Sequence, residues 1–346
     1  MAYISFQPSD YFNTKLYTGT GSAQSLTGVG FQPDLVWCKD RTNSYDQVWF
    51  DAVRGATKRI RSNVDGAETT ASTDLTSFDS DGFTIGSGSN INNSGNNFVS
   101  WNWKANGAGS ANTDGSTSST VSANTTAGFS IVKWSGTGST TTVGHGLGAT
   151  PACFITKSTG TGGWGFYHQS VGNTKALILN ESGAGTTHSA YYNNTSPTST
   201  VFTVNSDSSV NHSGNDMIAY CFAEKKGFSK FGSYVGNNST WGTFVNCGFK
   251  PGMVIVKCDS NASTNWVLLD NKRSSVGGPN PNDRWLYANA VDAEVDQSGN
   301  PTDFLSNGFK LKNNGGYMNG SGRTYIYMAF AEQPLVSSNN IPATAR

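Results

Sequence analysis

Few residues in this chain have the types and spacing that chemistry requires. Its four histidines, His145, His168, His188 and His212, include no HxH or HExxH pair, so none stands at a metal-ligand spacing. His212 falls in a turn where related segments carry Asn93 and Gly320, and is expected to be a turn residue. Five cysteines, Cys38, Cys153, Cys221, Cys247 and Cys258, form no CxxC pair, and four lie in apolar strand-like runs. They read as small buried hydrophobes rather than as a disulfide or metal framework. The Gly-rich stretch 136–148 lacks the Lys-Ser/Thr and the following helix of a phosphate loop. Asp79-Ser80-Asp81-Gly82 begins like a calcium loop, but the later ligands are missing, so a plain turn is expected. No GxSxG elbow is present, and among the 23 acidic residues nothing selects the facing pair that glycoside hydrolysis needs. An enzyme is not expected, and neither a catalytic residue, a metal nor a cofactor is assigned.

Aromatic residues make up 12% of the chain, with nine Trp, enough to raise the question of sugar stacking. Most Trp recur at strand positions, and Trp37, Trp49, Trp101, Trp103 and Trp266 are expected in the core. Tyr191 and Tyr192, in a polar loop, HSAYYNNTSP, are the residues expected at an exposed ligand contact.

The elements that must position these residues repeat three times. NNSGNNFVSWNWKA (92–105), NHSGNDMIAYCFAE (211–224) and NGSGRTYIYMAFAE (319–332) each place a strand after a Ser-Gly turn. Alternate positions Val99, Trp101, Trp103 match Ile218, Tyr220, Phe222 and Ile326, Met328, Phe330, the period-two pattern of one buried sheet face. Upstream, PDLVWCK, PACFITK and PGMVIVK begin at Pro33, Pro151 and Pro251, and their continuous apolar runs imply strands covered on both faces. Lys39, Lys157 and Lys257 end these strands and are expected to be solvated. Tyr17, Trp134 and Tyr234 open the units, Trp49, Trp164 and Trp266 follow the prolines, and Phe83, Phe202 and Phe309 start a further strand.

Charged residues are only 13% of the chain and Gly numbers 41, a composition that favours turns and exposed strands over long helices. An all-β chain of three tandem antiparallel β-sandwich domains, Ig-sized or jelly-roll-like, is therefore expected. The organisation is an N-terminal arm (1–12), units at 13–105, 128–226 and 227–335, and a tail (336–346). A linker at 106–127, without aromatic, Leu or Ile, is read as a flexible tether or extended arm. Each domain is expected to have its own core, with the first free to swing. An ordered terminus would imply a partner holding it. Zero net charge gives no general attraction to nucleic acid or anionic membranes. The opening MAYISFQPSDYF lacks a secretory signal, and no apolar run is long enough for a membrane helix.

The pattern VGFQPDLVWCKDR…FDAVRGATK…SFDSDGFTIG…NNSGNNFVSWNWKA, within 29–105, resembles a repeat of virion structural proteins of marine and cyanobacterial tailed phages, often labelled tail-fibre-like. The resemblance implies a bacteriophage virion protein, assembled in the host cytoplasm and displayed on the particle exterior, with other virion proteins and further copies of itself as partners. Host attachment through a tail fibre or appendage, with host-surface glycan as a possible ligand, is the first expectation. Capsid decoration is the second, and a glycan-degrading depolymerase the third.

Overall fold

A computed structural model describes residues 6–278, 280–334 and 336. Each repeat folds into a large antiparallel sheet backed by a small one, so the expected all-β, sandwich-type class is what the chain adopts. The large sheets share one strand order. An opening strand (Phe12–Thr18, Phe129–Ser135, Ser229–Val235) pairs with the closing strand (Asn97–Trp103, Asp216–Phe222, Thr324–Pro334). The closing strand pairs in turn with the proline-led strand (Leu35–Asp40, Cys153–Ser158, Phe249–Cys258). A third strand (Val48–Asp51, Trp164–His168, Val267–Asp270) and a fourth (Lys58–Arg61, Lys175–Ile178, Arg284–Tyr287) follow, and a two-residue edge strand completes each sheet.

Burial explains why the proline-led runs are apolar throughout. Leu35 and Trp37 face the centre of the molecule, whereas Val36 and Cys38 face the small sheet of the first unit, packed with Leu26, Phe83 and Ile85. Successive strand residues point to opposite faces, so a strand between two apolar layers needs both parities apolar. Trp101, Tyr220 and Met328 hold equivalent, fully buried positions, each opposite the proline-led strand at Trp37, Ile155 or Ile255. The tryptophans named for the core are all 2% exposed or less. All five cysteines are buried and unpaired.

The first and second units each keep an apolar cluster between their two sheets, but the units do not stand apart. One hydrophobic cluster runs through all three units, and the inner faces of the three large sheets meet in it. At its middle Trp103, Phe222 and Phe330, the last aromatic of each closing strand, touch one another with ring centroids 6.3, 5.4 and 5.5 Å apart. Three equivalent residues in mutual contact define a pseudo-three-fold axis: the chain is a trimer-like ring made from one polypeptide.

Two boundary expectations change. Residues 106–127 are not a free tether: Ser110–Asn112 and Ser119–Asn124 are strands that extend the second unit's sheet to eight, the latter pairing along the opening strand from Ser119↔Trp134 to Asn124↔Phe129. In the longer strand Val121 is buried, and so are Ser119, which donates to Gly144 O, and Ser122, which accepts from Asn106 N, so its polar side chains are satisfied inside the fold. The described part of the N-terminal arm packs on the chain itself: Phe6 and Tyr11 lie edge-on against Phe228 of the third unit, at 5.6 and 6.4 Å. The expected tail lies outside the described residues apart from residue 336.

Candidate functional site

The joints between units carry a set of buried polar contacts that repeats from one joint to the next. In sheet register Gln47, Trp164 and Trp266 are equivalent, each four residues before Asp51, His168 and Asp270. This corrects the sequence alignment, which had matched Trp49 to Trp164 and Trp266; Trp49 instead stands level with Phe166 and Leu268. Each equivalent side chain donates to a backbone carbonyl of the neighbouring fourth strand. Gln47 Nε2 reaches Tyr287 O at 2.8 Å, Trp164 Nε1 reaches Arg61 O at 2.9 Å, and Trp266 Nε1 reaches Ile178 O at 3.3 Å. Their own backbone N–H groups are capped by Asn63, Asn180 and Asn289 at 2.8, 2.8 and 2.9 Å. A parallel set of main-chain bonds runs Glu68 N to Thr159 O (2.8 Å), Gly185 N to Asp259 O (3.1 Å) and Glu294 N to Arg41 O (2.9 Å), closing the ring.

Deeper in the joints, two of three are ionic. Asp51 accepts from Tyr220 Oη at 2.7 Å and from Arg54 Nε at 2.6 Å; Asp270 accepts from Trp101 Nε1 at 2.9 Å and from Arg273 Nε at 2.6 Å. Burial alone would lower the Arg54 and Arg273 pKa values, but the adjacent carboxylates outweigh it and hold both guanidinium groups charged. At the third joint His168 replaces the Asp, Val171 the Arg, and Met328 the donor. His168 Nε2 lies 3.2 Å from Tyr327 O while Nδ1 accepts from Ser170 N at 3.1 Å, and burial pushes the imidazole down to about 4, so it is neutral. Removing donor, acid and cation together leaves no buried charge unpaired, which a single replacement would not achieve.

The repeated lysines are a correction. Lys39, Lys157 and Lys257 are fully buried rather than solvated. Their ammonium groups are wrapped by carbonyls: Lys39 by Asp40 (2.8 Å) and Val291 (3.1 Å), Lys157 by Ser158 (2.6 Å) and Gly160 (2.9 Å), Lys257 by Thr264 (2.8 Å) and Ser182 (3.0 Å). For Lys39 and Lys257 the second carbonyl belongs to the neighbouring unit. Burial pushes all three down to about 8. The strand ends emerge against another part of the molecule, not into water, and the lysine satisfies carbonyls that would otherwise be orphaned there.

Tyr191 and Tyr192, expected to be exposed, are also buried, at 3% and 1%. They sit on a short helix, Ser189–Tyr192, whose aromatic side chains turn inward; Tyr192 packs edge-on against Phe154 and Tyr167, each at 5.4 Å. The exposed aromatics lie elsewhere. Trp241 is 77% exposed, whereas among the described residues the other eight Trp are 2% or less. Aligned on the buried Leu26 and Val245, the third unit has two more residues than the first between Ser239 and that strand, and Trp241 lies in this insertion. Beside it, Phe244 (44% exposed) pairs with Lys310, whose Nζ stands 5.5 Å over the Trp241 ring. The first and second units carry Ser25 and Thr142 where the third has Phe244. An insertion rich in Asn, Ser and Gly gave no apolar period by which to single out this Trp.

No curated protein and no solved structure matches the chain. A family model described as a domain of unknown function, DUF7483, matches residues 7–334. That span runs from the arm to the last strand and takes in all three units, in keeping with their single core. The chain therefore belongs to the DUF7483 family.

Proposed function

We propose that this protein is a structural component of a phage virion exterior, a tail-fibre or appendage module that contacts the host surface by binding and carries out no covalent chemistry. The observation that supports a contact role is the Trp241–Phe244–Lys310 platform, where one unit of a self-closed ring differs from its sisters by exposing aromatic surface. A large ring in water costs free energy unless something covers it. The resemblance of 29–105 to tail-fibre-like virion proteins supplies the setting. A ring whose units are tied by repeated hydrogen bonds at every joint makes a rigid base for such a contact, and many copies on a particle turn weak contacts into avidity of about 10²–10⁴.

Capsid decoration is the second reading, and the pseudo-three-fold axis favours it, because one copy would match a local three-fold site of a shell. Labelling the protein in cryo-electron micrographs of the particle separates the two. On the tail-fibre reading, oligomeric protein binds host envelopes and Trp241→Ala weakens that binding at least tenfold while leaving the melting temperature unchanged. Binding to shells alone would favour decoration. Release of reducing ends from envelopes by pure protein would overturn the non-enzymatic reading.

A further inference from the structure

The groove between the third and first units holds a cavity of about 310 Å³ lined by Phe12, Thr14, Asn271, Lys272 and Glu332, with Gln7 and Ser9 at its rim. Its counterpart between the second and third units is bridged by a side chain. There Gln169, next to His168, donates to Phe231 O of the neighbouring opening strand at 2.6 Å. Asn271 is its equivalent: the backbone N–H groups of Gln169 and Asn271 donate to Ala152 O and Gly252 O, matched positions on the proline-led strands. Thr14 is the equivalent of Phe231, since both stand opposite the matched closing-strand residues Trp101 and Met328. Asn is one methylene shorter than Gln, and among the described residues no bond from the Asn271 side chain spans the groove.

The polar groups left behind converge. Asn271 and Thr14 are each 8% exposed, and among the described residues the Thr14 hydroxyl has no hydrogen-bond partner. Lys104 N bonds Tyr11 O and Gly19 N bonds Asn96 O, so odd residues of the first opening strand face the closing strand. By alternation the Thr14 N–H and C=O point the other way, into the groove. Lys250 and Lys272 share Glu332, at 2.9 and 3.7 Å, which leaves one positive charge at the outer wall, where the Lys272 side chain is 43% exposed to water; the groups that converge in the groove, Asn271 and Thr14, are neutral and set the ligand class. An amide, a hydroxyl and a strand edge offer donors and acceptors together, with Phe12 as an apolar side, in a volume at the small end of ligand pockets, roughly 300–1,000 Å³.

We infer that this groove is a binding site for one uncharged, polyhydroxylated ring, a hexose-sized unit of a surface glycan. The inference rests on the host-contact reading and gives it a ligand class. The test is titration of the full chain with a panel of neutral monosaccharides and their short oligomers, followed by saturation-transfer NMR and calorimetry. At least one sugar binds, in the millimolar range for a single ring, and both Asn271→Gln and Thr14→Val weaken it at least tenfold. Asn271→Gln folds because Gln169 already fills the same place in the second unit; unchanged melting temperatures verify both variants. No binding across the panel, or binding in Asn271→Gln within twofold of the parent, overturns the site. Envelope binding by the parent alongside a silent panel would sink the pocket and leave the host-contact reading standing. A bound sugar with no envelope binding would do the reverse, and binding of extended peptides instead of sugars would make the groove a strand-addition site.

Discussion

Lys39, Lys157 and Lys257 make the same bargain three times: a charge taken out of water in exchange for capped carbonyls. Their pKa values of about 8, against 10.5 for a free lysine, set the sign of a pH effect. Between those values the unfolded chain binds more protons than the folded one, so their contribution to stability grows as pH rises from about 8 and is lost as pH falls back through it. Buried Cys and Tyr work in the opposite direction above pH 9, with Cys38 pushed up to about 12 by burial. The lysine effect should therefore be visible between pH 8 and 9. Heteronuclear NMR is expected to show three lysine side chains titrating near 8; midpoints all above 10 would mean the ammonium groups are hydrated. At the joints, Tyr220→Phe should cost about 1–3 kcal/mol by removing one of the two bonds to Asp51 Oδ2, and Asp51→Ala about 3–5 kcal/mol by leaving the buried Arg54 with Glu68, 3.1 Å away, as its remaining carboxylate. Met328→Leu, at the equivalent place in the apolar joint, should cost under about 1.5 kcal/mol. Equal losses in chemical denaturation of all three would contradict the assignment of two ionic joints and one apolar one.

Strands 110–112 and 119–124 show how a polar segment becomes an element when an edge is available. The opening strand of the second unit would end its sheet; the added strands cover it, while the first and third units leave the corresponding strand at the sheet edge. Amide hydrogen exchange should find Val121 and its ladder neighbours protected well above the loop at 113–116, and uniform fast exchange over 106–127 would restore the tether. Much of the rest was legible. The period-two closing strands and doubly apolar proline-led strands fixed the large sheets, because a strand's faces are written in its own residues. What was not legible was what lay opposite. Trp49 was matched to Trp164 and Trp266 on residue type, although Gln47 does their work through its amide. The lysines looked like strand ends in water because nothing in PDLVWCK reveals that another unit covers Lys39. Tyr191 and Tyr192 looked exposed because their loop is polar, yet one turn of helix brings both rings inward. Trp241, by contrast, sits among turn residues that carry no periodicity to mark its exposure.

Three units of about 100 residues could each bury a core of their own, and the chain distributes its apolar residues differently. The largest rings, among them Trp37, Trp49, Trp101, Trp164 and Trp266, lie on inner faces, where a unit alone would leave them in water. The first and second units also keep apolar clusters between their own two sheets, but of the tryptophans only Trp134 lies there. Burial scales with area, roughly 25 cal/mol per Å² of apolar surface, so an isolated unit would expose its tryptophan-bearing inner face and lose a large share of what holds it together. The units are then coupled in unfolding as well as in space, and a fragment such as 13–105 should not fold. Multi-domain chains usually melt in separable steps, whereas a single core gives one. Differential scanning calorimetry of the full chain, read beside Trp101→Ala, tests this most directly. One transition is predicted, with calorimetric and van't Hoff enthalpies equal, and Trp101→Ala should lower that whole transition by about 3–5 kcal/mol. Two or three transitions, with only one of them moved by Trp101→Ala, would contradict the ring and return the molecule to three independent sandwiches.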